Sequence, residues 1–267
     1  MIKPYYETSL GKLYHGSCED ILPELEQVDL AVTSPPYDNL RDYKGHVFNF
    51  EEIAKELFRI TKDGGVVVWV VGDATIDGSE TGTSFKQALY FKEIGFNLHD
   101  TMIWNKPNFS NPSKNRYHQI FEYMFIFLRG KLKTFNPIKD KKNKYLTCVG
   151  RNTMRLTNGK LIEIKKGIGK EFGMRTNVWN INTVGQEMMC KTPPHPAMFP
   201  EHLAQDHILS WSNEGDIVLD PMSGGGTVPK MCERLNRRWI GIEISEEYCE
   251  ISAKRIEAEA SQLKLFK

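Results

Sequence analysis

Residues 66–71 read Val-Val-Val-Trp-Val-Val, with no polar residue to mark an outer face. Such a β-branched run is stable as a strand covered on both sides, the situation of a parallel sheet flanked by helices. The rest of the chain supplies the partners. Leu13 to His15 and Val28 to Val32 read as strands. Glu51 to Ile60 reads as a helix stopped by Asp63-Gly64-Gly65, and Ser84 to Ile94 as a second helix closed by Gly95. Met102 to Trp104 and Tyr123 to Leu128 read as further strands. Ile217 to Leu219 is a strand ending at Asp220, Thr227 to Leu235 a helix, and Arg238 to Ile242 the next strand. A last helix starts at Ser245, with Glu246 and Glu247 in its first turn, where the helix dipole favours acids. Strands alternating with helices predict an α/β fold with a mostly parallel sheet and helices on both faces.

Charge divides the chain. Between Arg129 and Arg175 there are 14 Lys and Arg against three acids, Asp140, Glu163 and Glu171, a net of +11. The remainder holds 21 basic and 31 acidic residues, so a total of +1 conceals a basic insert in an acidic body. A basic run of this kind is either a solvated face or a surface for phosphates. With 267 residues the chain suffices for one large domain, or one domain with a sizeable insertion. No stretch reaches the roughly 18 apolar residues of a membrane span. The start, Met1 to Tyr6, lacks the apolar core of a signal peptide, which reads as a soluble intracellular chain. The five cysteines form no Cys-x-x-Cys pair, and an odd count without a secretion signal reads as reduced thiols. His195, His202 and His207 lack the i, i+4 spacing of a zinc pair, so no metal is expected.

Two loops carry the chemistry. Thr33-Ser34-Pro35-Pro36-Tyr37 follows a buried strand, at the end where open α/β sheets place their sites. Consecutive prolines fix the backbone and remove two N–H donors. What remains is acceptor-rich, the Ser34 hydroxyl with the carbonyls of Ser34 and Pro35, beside the aromatic face of Tyr37. This suits a planar ring bearing an NH₂ group; it also suits a rigid turn with a packed tyrosine. The second loop, Asp220-Pro221-Met222-Ser223-Gly224-Gly225-Gly226-Thr227, lies between a strand and a helix. Its glycines let backbone approach a ligand at a helix N-terminus. Glu243 ends the next strand, where an acid accepts from ribose hydroxyls in nucleotide folds. The loop lacks the Lys-Ser/Thr ending of a P-loop and departs from Gly-x-Gly-x-x-Gly. Asp220 would repel a pyrophosphate and better suits a cationic group.

With both loops in view, the chain resembles the amino-methyltransferases of DNA in their β arrangement. The segment Asp220 to Thr227 is similar to that family's Asp-Pro-Phe-x-Gly-x-Gly-Thr cofactor loop. Thr33 to Tyr37 is similar to its Ser/Asp-Pro-Pro-Tyr catalytic loop. His195-Pro196-Ala197-Met198-Phe199-Pro200 resembles its His-Pro-x-x-Phe-Pro segment, Gly241-Ile242-Glu243 its ribose-binding acid, and Glu122-Tyr123 also fits. The order of catalytic loop, basic insert and cofactor loop is the circularly permuted order of the β arrangement. Two positions depart: Met222 stands where phenylalanine is usual, and Gly16-Ser17 where many members have Gly-Asp.

The resemblance implies a Rossmann-like methyltransferase fold with three parts. These are a catalytic half at 1–128, a target-recognition insert at 129–180 and a cofactor-binding half at 181–267. It implies S-adenosylmethionine as cofactor, held by Asp220, Pro221, Met222, Ser223, Gly224, Gly226, Thr227, Glu243, His195, Phe199 and Pro200. Ser34, Pro35, Pro36 and Tyr37 would be catalytic, Ser34 and the Pro35 carbonyl taking the amine hydrogens of a flipped base stacked on Tyr37. Lys141, Lys142, Lys144, Arg151 and Arg155 become candidates for phosphate contacts. The loop residues Asn105 to Asn108 and Lys114 to Arg116 either line the same cleft or form an exposed polar loop.

Double-stranded DNA is the implied partner, with a homodimer and a cognate restriction endonuclease left open. The setting would be the cytoplasm, in a prokaryote or a phage-infected cell. No Pro-Cys pair supplies the nucleophile that methylation at cytosine carbon five needs. A serine opening the Pro-Pro-Tyr loop favours cytosine N4, with adenine N6 as the alternative. Outside this class stand an RNA or protein-amide methyltransferase, a DNA-binding protein without catalysis, and a nicotinamide oxidoreductase, which Asp220 disfavours.

Overall fold

A computed structural model describes residues 2–36, 48–109, 112, 114–143, 153–163, 170–183 and 199–265. They fall into two compact units, Met1–Asn136 with Asn177–Lys267, and Pro137–Thr176.

Among the described residues, the larger unit is built on a sheet of nine strands. Its first strands are β1 (Tyr6–Glu7), β2 (Gly11–His15) and β3 (Val28–Thr33), with the short helix α1 (Cys18–Ile21) before β3. Helix α2 (Phe50–Ile60) leads directly into β4 (Thr61–Val71). The small hairpin β5 (Thr75–Ile76) and β6 (Ser79–Glu80) precedes α3 (Thr83–Glu93), β7 (Asn97–Asn105) and β8 (Phe121–Leu128). In the smaller unit β9 (Lys141–Lys142) pairs with β12 (Phe172–Gly173), and β10 (Thr153–Arg155) with β11 (Leu161–Glu163), both antiparallel. The chain then returns to the large sheet as β13 (Val178–Asn180) and continues through α4 (Glu201–Trp211), β14 (Ile217–Asp220), α5 (Thr227–Arg234), β15 (Arg238–Glu243) and α6 (Glu246–Leu265).

Strand order in the large sheet is β1-β2-β15-β14-β3-β4-β8-β7-β13. The run from β2 to β4 is parallel throughout. β8 runs antiparallel to both of its neighbours, and β1 runs antiparallel to β2. The sheet is therefore mostly parallel, as expected, with one reversed strand in its interior.

The Val66–Val71 run fills the middle of this sheet. Its side chains alternate between faces, and none is more than 1% exposed. Val67, Trp69 and Val71 enter a core with Ile53, Ala54 and Leu57 of α2 and Ala88 and Phe91 of α3. Phe91 stacks on Phe127 at 4.4 Å between ring centroids, and Trp69 meets Phe91 edge-on at 5.2 Å. The one polar atom of Trp69 is satisfied inside, its indole N–H donating to Gln87 Oε1 at 2.9 Å. Val70 lies opposite Met124 on the other face, where the Met124 sulfur meets His207 Nε2 of α4 at 3.2 Å. Helices thus cover both faces, and the run has the environment its composition demanded.

Asp63-Gly64-Gly65 does not separate helix from strand as the sequence suggested. The helix ends at Ile60, where Thr61 turns extended, and β4 begins at once. The two glycines instead mark a register break, since Val28 faces Thr61 whereas Leu30 faces Val66. Gly64 takes φ +82, and a Cβ on Gly65 would lie 2.8 Å from the Asp29 carbonyl. Only glycine tolerates that bulge. Among the described residues, no helix is long and apolar enough to cross a membrane.

Candidate active site

Two neighbouring parallel strands deliver both chemical loops to one edge of the sheet. β3 ends at Thr33 and runs on into Ser34-Pro35-Pro36, while β14, paired beside it, ends at Asp220. The Thr33 hydroxyl donates to Asp220 Oδ1 at 3.0 Å, tying the two strand ends together. Pro35 is buried, and Ser34 and Pro36 are half-buried. Tyr37 and His195 lie outside the described residues.

Beyond Asp220 the glycine loop folds back over the end of β15. The Ser223 N–H donates to the Ile242 carbonyl and the Gly226 N–H to the Ser223 carbonyl, both at 2.8 Å. Gly226 caps α5 with φ +72, and a Cβ there would collide with Ser252 Oγ. That position accepts neither the side chain nor the dihedral of another residue. Glu243 holds the loop's crest: its Oε2 accepts from the Gly224 N–H at 2.7 Å and its Oε1 from the Ser245 N–H at 2.8 Å. Pro221 and Thr227 are buried, and Met222 is packed against the core beneath β14 and β15. Phe199 is half-buried, and Pro200 is the buried residue on which α4 starts.

Two buried acids face this loop. Asp220 is 5% exposed and Glu243 8% exposed, and among the described residues neither forms a salt bridge. Burial pushes the Asp220 carboxyl from its ordinary 3.8 up to about 7, opposed by hydrogen bonds from Thr33 and Met222 and reinforced by Glu243. Burial also raises Glu243, opposed chiefly by the N–H groups of Ser245 and Gly224. Ser223 Oγ is buried and has no hydrogen-bond partner among the described residues. Two desolvated acids with no salt bridge among the described residues, a buried hydroxyl and a backbone cradle fit a ligand carrying positive charge and hydroxyl groups. They would disfavour a pyrophosphate.

The basic candidates belong to the smaller unit. Lys141 and Lys142 form β9 and Arg155 ends β10, all exposed, whereas Lys144 and Arg151 lie outside the described residues. Asp140 pairs with Arg175, whose guanidinium holds the carboxyl below its ordinary range. The structure also shows two contributors that the motif reading passed over. Thr33 bridges the strands, and Arg255 of α6 reaches the glycine loop. The motif at 33–37 includes Thr33 without marking it. Arg255 has no local signal, since it lies in an ordinary charged helix.

Residues 28–254 match the sequence model of the DNA methylase family of N6 and N4 methyltransferases. The chain belongs to this family. Among relatives of the methylase, the orphan methyltransferase M.BamHII of Bacillus amyloliquefaciens is 57% identical over 234 residues, covering 86% of this chain and 88% of that protein. The type II methyltransferase M.ScaI of Streptomyces caespitosus is 29% identical over 276 residues, covering 98% and 86%. In fold, the methylase is similar to the cytosine-N4-specific PvuII DNA methyltransferase, with TM-score 0.68 and 21% identity over 98% of this chain and 95% of that one. It is also similar to M1.HpyAVI in complex with SAM, with TM-score 0.63 and 24% identity over 92% and 100%. The methylase is thus a Rossmann-like, S-adenosylmethionine-dependent enzyme that methylates DNA at specific sites.

Proposed function

We propose that this DNA methylase modifies the N4 amine of cytosine in duplex DNA. Its target base would be gripped by Ser34, Pro35, Pro36 and Tyr37, and its cofactor by the Asp220 to Thr227 loop with Glu243, His195, Phe199 and Pro200. The observation that carries the reading is the Thr33–Asp220 hydrogen bond of 3.0 Å, which sets the proposed base loop directly beside the proposed cofactor loop.

S-adenosylmethionine, when bound, supplies a methyl group that is already electrophilic. The protein's task is then to present an amine lone pair in line with it. The Ser34 hydroxyl and the Pro35 carbonyl accept the two amine hydrogens, which favours a tetrahedral nitrogen over one conjugated with the ring. Pro35 and Pro36 bring no N–H of their own to compete. The rigidity of the Pro-Pro step holds the nucleophile in place, and such positioning supplies much of the acceleration. Asp220 takes the cofactor's cationic end and Glu243 its ribose. A hydroxyl opening the loop, rather than a carboxylate or amide, favours the cytosine amine.

Lys141, Lys142, Lys144, Arg151 and Arg155 hold the duplex through its phosphates while the target base is extruded. We extend the reading to an enzyme acting without a cognate endonuclease, because the 57% identical relative is named an orphan methyltransferase. The proposed setting is the cytoplasm, with a prokaryotic or phage-encoded enzyme, a reading supported by the bacterial source of the relatives. The test is nucleoside mass spectrometry of DNA incubated with the enzyme and cofactor. N4-methylcytosine is expected, and N6-methyladenine in its place would overturn the base assignment.

A further inference from the structure

The glycine loop is held from behind by an arginine more than twenty residues downstream. Arg255 donates to the Gly225 carbonyl, to Thr227 Oγ1 at 3.2 Å, and to Glu201 Oε1 at 3.0 Å. Only 18% of its side chain is exposed. Glu201 is the first residue of α4, directly after Phe199 and Pro200. A single guanidinium thus joins the glycine loop to the start of α4, the two segments assigned to the cofactor.

What the arginine grips matters. The peptide between Gly225 and Gly226 is fixed at both ends, its carbonyl by Arg255 and its N–H by the Ser223 carbonyl at 2.8 Å. Three consecutive glycines are the segment of this chain with the most backbone freedom, and any ligand they bind must bear the entropy of ordering them. A loop already fixed in its binding shape avoids that cost. Glu201 completes the arrangement. It takes Lys230 Nζ of α5 at 2.6 Å on the same oxygen that holds Arg255, and its other oxygen lies 3.7 Å from Arg234. Arg234 makes its own bidentate pair with Glu259 of α6, at 2.7 Å for both contacts, and among the described residues it makes no hydrogen bond to the loop. The network therefore contains one arginine that touches the loop and one that does not.

We propose that Arg255 is a positioning residue for cofactor binding, holding the Gly224-Gly225-Gly226 backbone in its ligand-ready shape with Glu201 as its anchor. The proposal rests on the reading that this loop holds the cofactor.

The test is calorimetric titration of the full-length, DNA-free protein with S-adenosylhomocysteine, alongside thermal melting and steady-state kinetics. Arg255→Met is expected to weaken S-adenosylhomocysteine about tenfold, the worth of one charged hydrogen bond. KM for S-adenosylmethionine should rise in step, with kcat at saturation within about twofold of wild type. Arg255→Lys should recover part of the affinity. Arg234→Met removes a comparable ion pair from the same helices and should leave affinity within about twofold, whatever its melting temperature. Unchanged affinity in Arg255→Met, or an equal loss in Arg234→Met, overturns the proposal. If Arg255→Met does not fold, Arg255→Lys decides: weaker binding at an unchanged melting temperature supports the brace, and wild-type affinity overturns it. Failure of the underlying loop assignment has its own signature, since Glu243→Gln would then bind S-adenosylhomocysteine as tightly as wild type, and the proposal falls with it.

Discussion

Thr33 and Asp220 lie 187 positions apart in the chain, yet the threonine hydroxyl donates to the aspartate Oδ1 at 3.0 Å in the buried seam between β3 and β14. This bond is one of the influences that hold the Asp220 carboxyl down against burial. Thr33→Val removes it at nearly constant volume. The expected result is a loss of about 1–2 kcal/mol in urea unfolding, from a buried acceptor left short of a donor. The Asp220 carboxyl should also rise further, which titration by NMR of the ligand-free protein would detect.

Asp220 gives the ligand-free enzyme a characteristic pH response. Its folded-state carboxyl is raised from 3.8 to about 7, so across that window the folded chain binds more protons than the unfolded one. Its contribution to stability is therefore present at the acid end and is lost as pH rises from about 4 to about 7. A cationic ligand favours the ionised form. Cofactor binding is thus expected to release a proton at pH 6 and to tighten towards pH 7.5. Calorimetry in buffers of different ionisation enthalpy measures that proton directly. No proton release at pH 6 would mean that the ligand's charge is not placed at Asp220.

Substitutions should separate the two loops. Ser34→Ala and Tyr37→Ala are expected to reduce methyl transfer at least a hundredfold while leaving S-adenosylhomocysteine affinity nearly intact, because the proposed base grip would act only in the transferring complex. Asp220→Ala should weaken the cofactor first. The reverse pattern in titration and single-turnover transfer would exchange the assigned roles.

The basic unit has a salt signature. If Lys141 and Lys142 each neutralise one phosphate, alanine at either position should lower the slope of log affinity against log salt by roughly 0.9. The loss should be similar for cognate and unrelated duplexes, since phosphate contacts carry little sequence information. Gel-shift or anisotropy titrations over a range of salt concentrations read both quantities. An unchanged slope would take these lysines out of the DNA interface.

Phe91 is the structural control. It is fully buried between Trp69 and Phe127 on the side of the sheet covered by α2 and α3. Phe91→Ala should cost about 3–5 kcal/mol of unfolding free energy. Cofactor affinity of the remaining folded protein should be close to wild type, because the cavity is enclosed in the core rather than at the sheet edge.

How much of this could be seen in the chain beforehand depends on whether the information is local. The Val66–Val71 strand, the Pro35-Pro36 step and the Asp220 to Thr227 loop each declare themselves within a few residues, and each stands where its pattern indicated. Gly64-Gly65 carried a true signal with the wrong meaning: a bulge in β4 and a helix terminator have the same composition. The reversed β8 was invisible because a buried strand's composition does not record its direction. Arg255 was invisible for a related reason. Its neighbour Lys254 has a similar charge, yet its side chain is 78% exposed on the same helix. Which of the two turns inward is decided by how α6 lies across the glycine loop.

The order of strands also has a consequence for synthesis. β14 and β15 are the last strands made among the described residues, yet they occupy the gap between β2 and β3, which are among the first. On the ribosome, β3 and β4 can pair early, but the outer edge of β3 has no neighbour until residue 217 has emerged. At roughly 5–20 residues per second that leaves an open edge for about 10–40 seconds. An unpaired edge of this kind invites contact with other nascent chains. The same delay means that a chain cut short before residue 220 would carry the proposed base loop at Ser34 without the proposed cofactor loop, and such a product is expected to be inert towards DNA.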